Sequence, residues 1–116
     1  MSSIAKTDYI LWRACAKNAW LRIHNPDVYH STELTEYEQS VMEMGIDVER
    51  EARGLFPDGV AITGSQTDGL EETRSLIASK ARTLFQPLFE LEQCLALIDV
   101  LQRELGTDEW SIYEVK

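Results

Sequence analysis

Residues 94–116 read CLALIDVLQRELGTDEWSIYEVK. Two runs rich in aliphatic, β-branched and aromatic residues, 94–103 and 109–116, flank Leu105-Gly106-Thr107-Asp108. That is the pattern of a β-hairpin. A two-residue turn on Gly106-Thr107 with glycine first, of the II′ type, would fix the register. Counting outward from it, Asp99 stands directly opposite Glu114 on one sheet face, with β-carbons about 4.5–5.5 Å apart. Lys116 lies two residues further on and points to the same face. Two like charges in opposition destabilise a sheet unless something compensates. A divalent cation is the expected compensator, since Mg²⁺ takes oxygen ligands from one or two carboxylates together with phosphate oxygens and waters. With Lys116 orienting a water or stabilising charge on a phosphorane, the trio suits phosphodiester hydrolysis. As a bare pattern it is weak: an acidic-x-Lys match arises roughly once by chance in a chain of this size and composition.

Upstream of the hairpin, 83–91 reads as a further strand in which Pro87 imposes an edge, a bulge or a break. The expectation is a small antiparallel sheet over 83–116, with Val60-Ala61-Ile62 as a possible extra strand. Three helices precede the sheet. Over 7–23, Tyr9, Trp12, Ala16, Trp20 and Ile23 recur at steps of three and four, predicting one helix with a buried stripe that Asn25-Pro26 ends. On that reading the tryptophans are core residues rather than a platform for bases. Arg13 and Lys17 share another face, either solvated or aimed at phosphates. His24 and His30 flank a loop without metal-ligand spacing and read as surface residues. A second helix over 35–56 opens on the capping box Thr35-Glu36-Tyr37-Glu38. Gly45 inside it suggests close packing or room left for something, and Glu49 projects one turn later near the same side. A third helix covers 67–78. Residues 1–57 thus form a helical part, and 58–116 a helix plus the sheet that carries the hairpin.

The 116 residues fit one domain, and 44% hydrophobic with 27% charged residues describes an ordinary globular chain. No apolar run is long enough to span a membrane, and the first residues lack the apolar core of a secretory signal. Cys15 and Cys94 form no CxxC pair, so a reducing cytoplasm is expected. The net charge of −9 argues against a phosphate-gripping protein, but it is unevenly placed. Residues 1–24 hold Lys6, Arg13, Lys17 and Arg22 against Asp8, a net +3, while the remainder carries 7 basic and 19 acidic side chains, −12. The pattern is a basic first helix on an acidic body.

Several segments in order resemble a known family. Residues 9–22, YILWRACAKNAWLR, are similar to the opening Cys-x-x-x-x-Trp-Leu helix of RecB-type and CRISPR-associated exonucleases. Residues 44–57, MGIDVEREARGLFP, resemble a RecB-like bacterial branch of the PD-(D/E)XK nuclease superfamily, in which a Gly-x-x-x-His or Gly-x-x-x-Glu helix precedes the sheet. Glu49 takes the acidic position. Leu97-Ile98-Asp99-Val100-Leu101 and Ile112-Tyr113-Glu114-Val115-Lys116 match the second and third motifs. The resemblance implies an α+β, restriction-endonuclease-like core and a Mg²⁺- or Mn²⁺-dependent DNA nuclease acting on free ends or single strands. It implies that Asp99, Glu114 and the Val115 carbonyl bind the metal, with Glu49 assisting directly or through water. Lys116 would position the attacking water, and Arg13 and Lys17 would lie near the DNA path.

The chain ends on the motif's lysine, whereas the family continues into a helix with a glutamine motif and a further strand. The expectation is therefore an incomplete nuclease domain over 1–116: a fragment, a processed product or a truncated reading frame. In several relatives the other iron–sulfur cluster cysteines lie downstream. Cys15 is then a cluster ligand only if a longer chain supplies the rest, or else a small buried residue. The alternative function is a non-catalytic, nuclease-like module whose last strand pairs with a partner chain or a second copy.

Overall fold

The computed structural model describes residues 3–29 and 34–116 as a mixed α+β chain. Its C-terminal hairpin joins β6 (Val100–Arg103) and β7 (Trp110–Tyr113), paired antiparallel from Val100↔Tyr113 to Arg103↔Trp110. That is the expected register, reached through a different turn. The loop spans four residues, 105–108, and is closed by the Glu104 N–H donating to the Glu109 carbonyl at 2.9 Å. Gly106, with φ 73°, sits third in the turn from Glu104 to Thr107. A positive φ there marks a type II turn, which glycine adopts without steric cost. The two-residue and four-residue loops share one centre, so the register survives the change.

A second hairpin is longer and bent. β3 (Thr83–Phe85) pairs with β6, and β4 (Leu88–Leu91) pairs with β5 (Cys94–Leu97) around Glu92-Gln93. Both tip residues have positive φ, 48° and 66°, the geometry of a I′ turn. Between the strand pairs, the Gln86 N–H donates to the Asp99 carbonyl (3.1 Å) and the Ile98 N–H to the Pro87 carbonyl (3.2 Å). One register therefore runs through the bend. Pro87 has no N–H to donate and Gln86 turns to φ 54°, so the ladder bends there rather than continuing flat.

The bend distributes the hairpin between two sheets, and this corrects the single antiparallel sheet expected over 83–116. One sheet has the order β1 (Ile4–Ala5), β5, β4; the other has β2 (Gly59–Ala61), β3, β6, β7. β1 runs parallel to β5 and β2 parallel to β3. A parallel neighbour needs a crossover, and α4 (Gln66–Ala78) supplies it between β2 and β3. The buried Thr73 hydroxyl fixes α4 to the sheet: it donates to the Gly69 carbonyl (2.8 Å) and accepts the Leu88 N–H (3.0 Å). Gly59 admits the Phe85 ring, because a β-carbon there would lie 2.1 Å from it. Ile62, Leu84, Phe85, Val100 and Leu101 make the core beneath, with Leu84 wholly buried.

The helical part departs further from expectation. The helix predicted over 7–23 is two, α1 (Lys6–Ala14) and α2 (Ala16–His24), broken at Cys15, whose backbone is extended (φ −158°, ψ 104°). The break lets α2 fold back against α1, with Ala19 buried and Arg22 reaching Asp8 at 3.5 Å. The apolar stripe is consequently not buried: Trp12 and Trp20 are each 56% exposed. Tyr9 stacks on Trp12, and the Trp20 ring lies 4.9 Å from that of His24, whereas His30 falls outside the described residues. α3 (Glu36–Arg53) opens on the predicted capping box. The Glu38 carboxylate accepts the Thr35 N–H at 2.8 Å, and the Thr35 hydroxyl accepts the Glu38 N–H at 3.2 Å. None of its residues is buried, and a β-carbon on Gly45 would meet nothing within 4 Å, which removes the close-packing reading of that glycine.

The radius of gyration is 16.6 Å, against about 13 Å for a compact chain of this length. Among the described residues, no helix is long and apolar enough to cross a membrane.

Candidate metal centre

Asp99 sits where the long hairpin bends, immediately before β6. Its carbonyl accepts the Gln86 N–H from one side, while its carboxylate Oδ2 accepts the Val115 N–H at 2.8 Å from the other. Glu114 and Lys116 follow the end of β7, which stops at Tyr113. The hydrogen bond from Val115 therefore extends the β6–β7 pairing through a side chain once the backbone ladder ends. Asp99 and Glu114 line one groove of about 520 Å³, together with Lys6, Thr7, Leu97 and Tyr113.

Glu114 is flanked by two ammonium groups. Lys6 Nζ lies 3.9 Å from Oε1 and Lys116 Nζ 3.6 Å from Oε2, all on well-exposed side chains. Exposed pairs of this kind are worth about 0–1 kcal/mol each, so they orient Glu114 without locking it. They also supply part of the compensation that the opposed carboxylates were expected to draw from a cation alone. Lys6, read from sequence only as one of the basic residues of the first 24, stands beside the carboxylate.

Glu49 is held apart from this pair. Its Oε1 accepts from Arg53 Nη2 at 2.9 Å and from Gln86 Nε2 at 2.6 Å. Arg53 in turn lies over the Phe85 ring, 5.2 Å from its centroid. Glu49 thus reaches Asp99 through Gln86, whose backbone N–H is bonded to the Asp99 carbonyl. Gln86 belongs to no motif. The one local signal for it is its place before Pro87, at a predicted interruption.

Among the described residues, no three His, Cys, Asp or Glu side chains converge as a metal cage. A closed all-protein site is not what Mg²⁺ requires, since it retains several waters and takes one or two carboxylates. Asp99 and Glu114 fit such a partial donor set: Asp99 Oδ1 is the carboxylate oxygen not used by Val115, and the Glu114 contacts are exposed ion pairs.

Cys15 is exposed, which overturns its reading as a small buried residue, and Cys94 is exposed as well. Arg13 and Lys17 are exposed on α1 and α2, and Arg13 Nη1 approaches the Tyr9 hydroxyl at 3.5 Å. The break at Cys15 places them on different helices, so they do not form the continuous basic stripe of one helix. Compared with known proteins, the chain matches no family model, no curated protein and no solved structure.

Proposed function

We propose that this chain is a metal-dependent DNA nuclease of the PD-(D/E)XK type, or the N-terminal piece of one, with a restriction-endonuclease-like core. The observation that carries the reading is the register of β6 and β7. Continued one step past Val100↔Tyr113 it reaches Asp99 and Glu114, and the Asp99 carboxylate is bonded to the N–H of Val115 within the Glu-Val-Lys motif. The groove beside that pair offers room for a substrate strand.

In this reading Asp99, Glu114 and the Val115 carbonyl bind Mg²⁺ or Mn²⁺, and Glu49 assists from α3. The bound cation supplies Lewis-acid polarisation of the scissile phosphate. Lys116 carries three N–H donors and no acceptor, so it acts on the attacking water or the phosphate rather than as a ligand. Arg13 and Lys17 guide DNA with free ends or single strands by charge. Cys15 serves an iron–sulfur cluster only where further chain supplies the other ligands. The cytoplasm is the compartment proposed.

A second reading is favoured by a specific observation. Ile112 on β7 is 67% exposed and Tyr113 42% exposed, as suits a nuclease-like module that pairs its last strand with a partner chain or a second copy. Calorimetric titration with Mn²⁺ and an assay on linear DNA separate the two. Binding together with cleavage supports the nuclease; silence in both supports the module.

A further inference from the structure

α1 and α2 pack against each other, yet among their described residues Ala19 alone is buried. Their aromatic side chains line a groove of about 500 Å³ instead, the size of an ordinary small-molecule site. Each helix contributes a pair of rings. From α1 come Tyr9 and Trp12, inclined at 22° with centroids 6.4 Å apart; from α2 come Trp20 and His24, 4.9 Å apart. Ala16 and Ala19 complete the lining with side chains too small to fill the space. The break at Cys15 makes this convergence possible. In one unbroken helix Tyr9 and His24 would stand about 22 Å apart along the axis.

Trp12 and Trp20 are both more than half exposed. Open indole rings gain most from a flat guest, and every nucleobase offers a π-face. Charge selects among flat guests. The carboxylate in the lining, Asp8, is answered by Arg22 at 3.5 Å and by the Ala5 N–H at 3.0 Å. Arg13 Nη1 lies 3.5 Å from the Tyr9 hydroxyl, which brings a second guanidinium to the groove. A cationic guest of the kind that aromatic cages hold would meet net positive charge here. A nucleotide brings a base to the rings and a phosphate to the guanidiniums. The remainder of the chain, at −12 against +3 for residues 1–24, repels phosphates, so a strand is drawn to this end.

We propose that the α1–α2 groove is a single-strand binding subsite, in which unpaired bases stack on Trp12 and Trp20 while neighbouring phosphates meet Arg13 and Arg22. The identity of the occupant as DNA rests on the nuclease reading, and the groove narrows that reading to unpaired strands. Stacking is tolerant of sequence, so the subsite takes any base.

The test is fluorescence anisotropy of a short labelled oligothymidylate, set against an abasic oligonucleotide of the same length, on the 116-residue chain in EDTA. Without metal no strand is cleaved. Wild-type protein is expected to prefer the strand with bases by about 10-fold or more. Trp12→Ala and Trp20→Ala should each lose about 10-fold toward oligothymidylate and nothing toward the abasic strand. Replacing both tryptophans by phenylalanine keeps the rings and should retain more affinity than replacing both by alanine. Arg13→Gln should lower the slope of log affinity against log salt by about 0.7, one phosphate contact on a single strand. Equal binding of the two strands by wild type overturns the proposal, as does full affinity in both alanine variants or a phenylalanine pair as weak as the alanine pair. Tryptophan-dependent sedimentation with phosphatidylserine vesicles, or tryptophan-dependent dimerisation in light scattering, by a chain indifferent to bases overturns it in favour of a membrane or a second copy. Cleavage of linear DNA by such an indifferent chain overturns the groove and spares the nuclease reading. Base-dependent binding by a chain that neither binds Mn²⁺ nor cleaves upholds the groove and overturns the nuclease reading.

Discussion

Asp99 is assigned two duties, one structural and one toward a cation, and a pair of substitutions separates them. Its carboxylate accepts the Val115 N–H at 2.8 Å in a partly buried setting, the contact that prolongs the hairpin past Tyr113. A hydrogen bond to a charged group is worth about 1.5–3 kcal/mol, and partial exposure reduces that here to about 1–2 kcal/mol. A chain of this length with a small core has a total stability near the low end of the usual range, about 6 kcal/mol. Asp99→Ala therefore removes a sizeable fraction. With a urea m-value of about 2 kcal/mol per molar, the midpoint should fall by about 0.5–1 M. Asp99→Asn retains an amide oxygen for the same N–H and should lose less than half of that. Toward Mn²⁺ the two variants should behave alike, because neither supplies an anionic oxygen. Urea unfolding followed by circular dichroism measures the first effect and calorimetric titration the second. Equal destabilisation by alanine and asparagine would refute the structural half of the argument. Wild-type Mn²⁺ affinity in Asp99→Asn would refute the metal half.

Lys116→Ala is expected to leave Mn²⁺ affinity unchanged and to remove cleavage of linear DNA in any form of the protein that cleaves; full-rate hydrolysis by this variant would exclude Lys116 from the chemistry. Gly45→Ala should stabilise α3 by about 1 kcal/mol, since the new methyl meets nothing and alanine is the better helix former, seen as a raised urea midpoint. Leu84→Ala should cost about 2–5 kcal/mol, because Leu84 is wholly buried between β2 and β6; a loss under about 1 kcal/mol would show that the core is not where we place it. The Glu38 carboxyl is held below its ordinary value, first by the Thr35 N–H and then by the Thr35 hydroxyl. A depressed folded-state value means that this support for α3 is present above the unfolded-state value and is lost as the pH falls through the folded one. Helicity at 222 nm should accordingly drop on acidification, and the pH-dependent part should shrink in Thr35→Ala.

What the sequence made legible follows physical reach. The β6–β7 register could be read because the residues that fix it are close together and Gly106 marks the turn. The turn type could not, since glycine serves equally at the second position of a II′ turn and the third of a type II turn. The start of α3 was visible because Thr35 and Glu38 satisfy each other locally. The break at Cys15 was not, because no proline or glycine announces it; it arises where α2 packs back on α1. The parallel strand β2 has three residues and gains its identity from Thr83–Phe85, across an intervening helix. Asp99 and Glu114 were found as candidates through a short-range pattern. Gln86 escaped because its importance depends on Glu49, far away along the chain, and on a bend that Pro87 only hints at.

An α3 that buries none of its residues is a helix whose opening need not await the rest of the fold. Its tethers, Glu49 to Gln86 and Arg53 to Phe85, lie in its C-terminal half. Amide hydrogens toward Glu36 should therefore exchange through local fraying at little free-energy cost, while those of β3 and β6, beside Leu84 and Val100, exchange near the global limit. Cutting a tether, as in Arg53→Ala, should let that fraying run on, so that fast exchange reaches the C-terminal end of α3 while β3 and β6 hold.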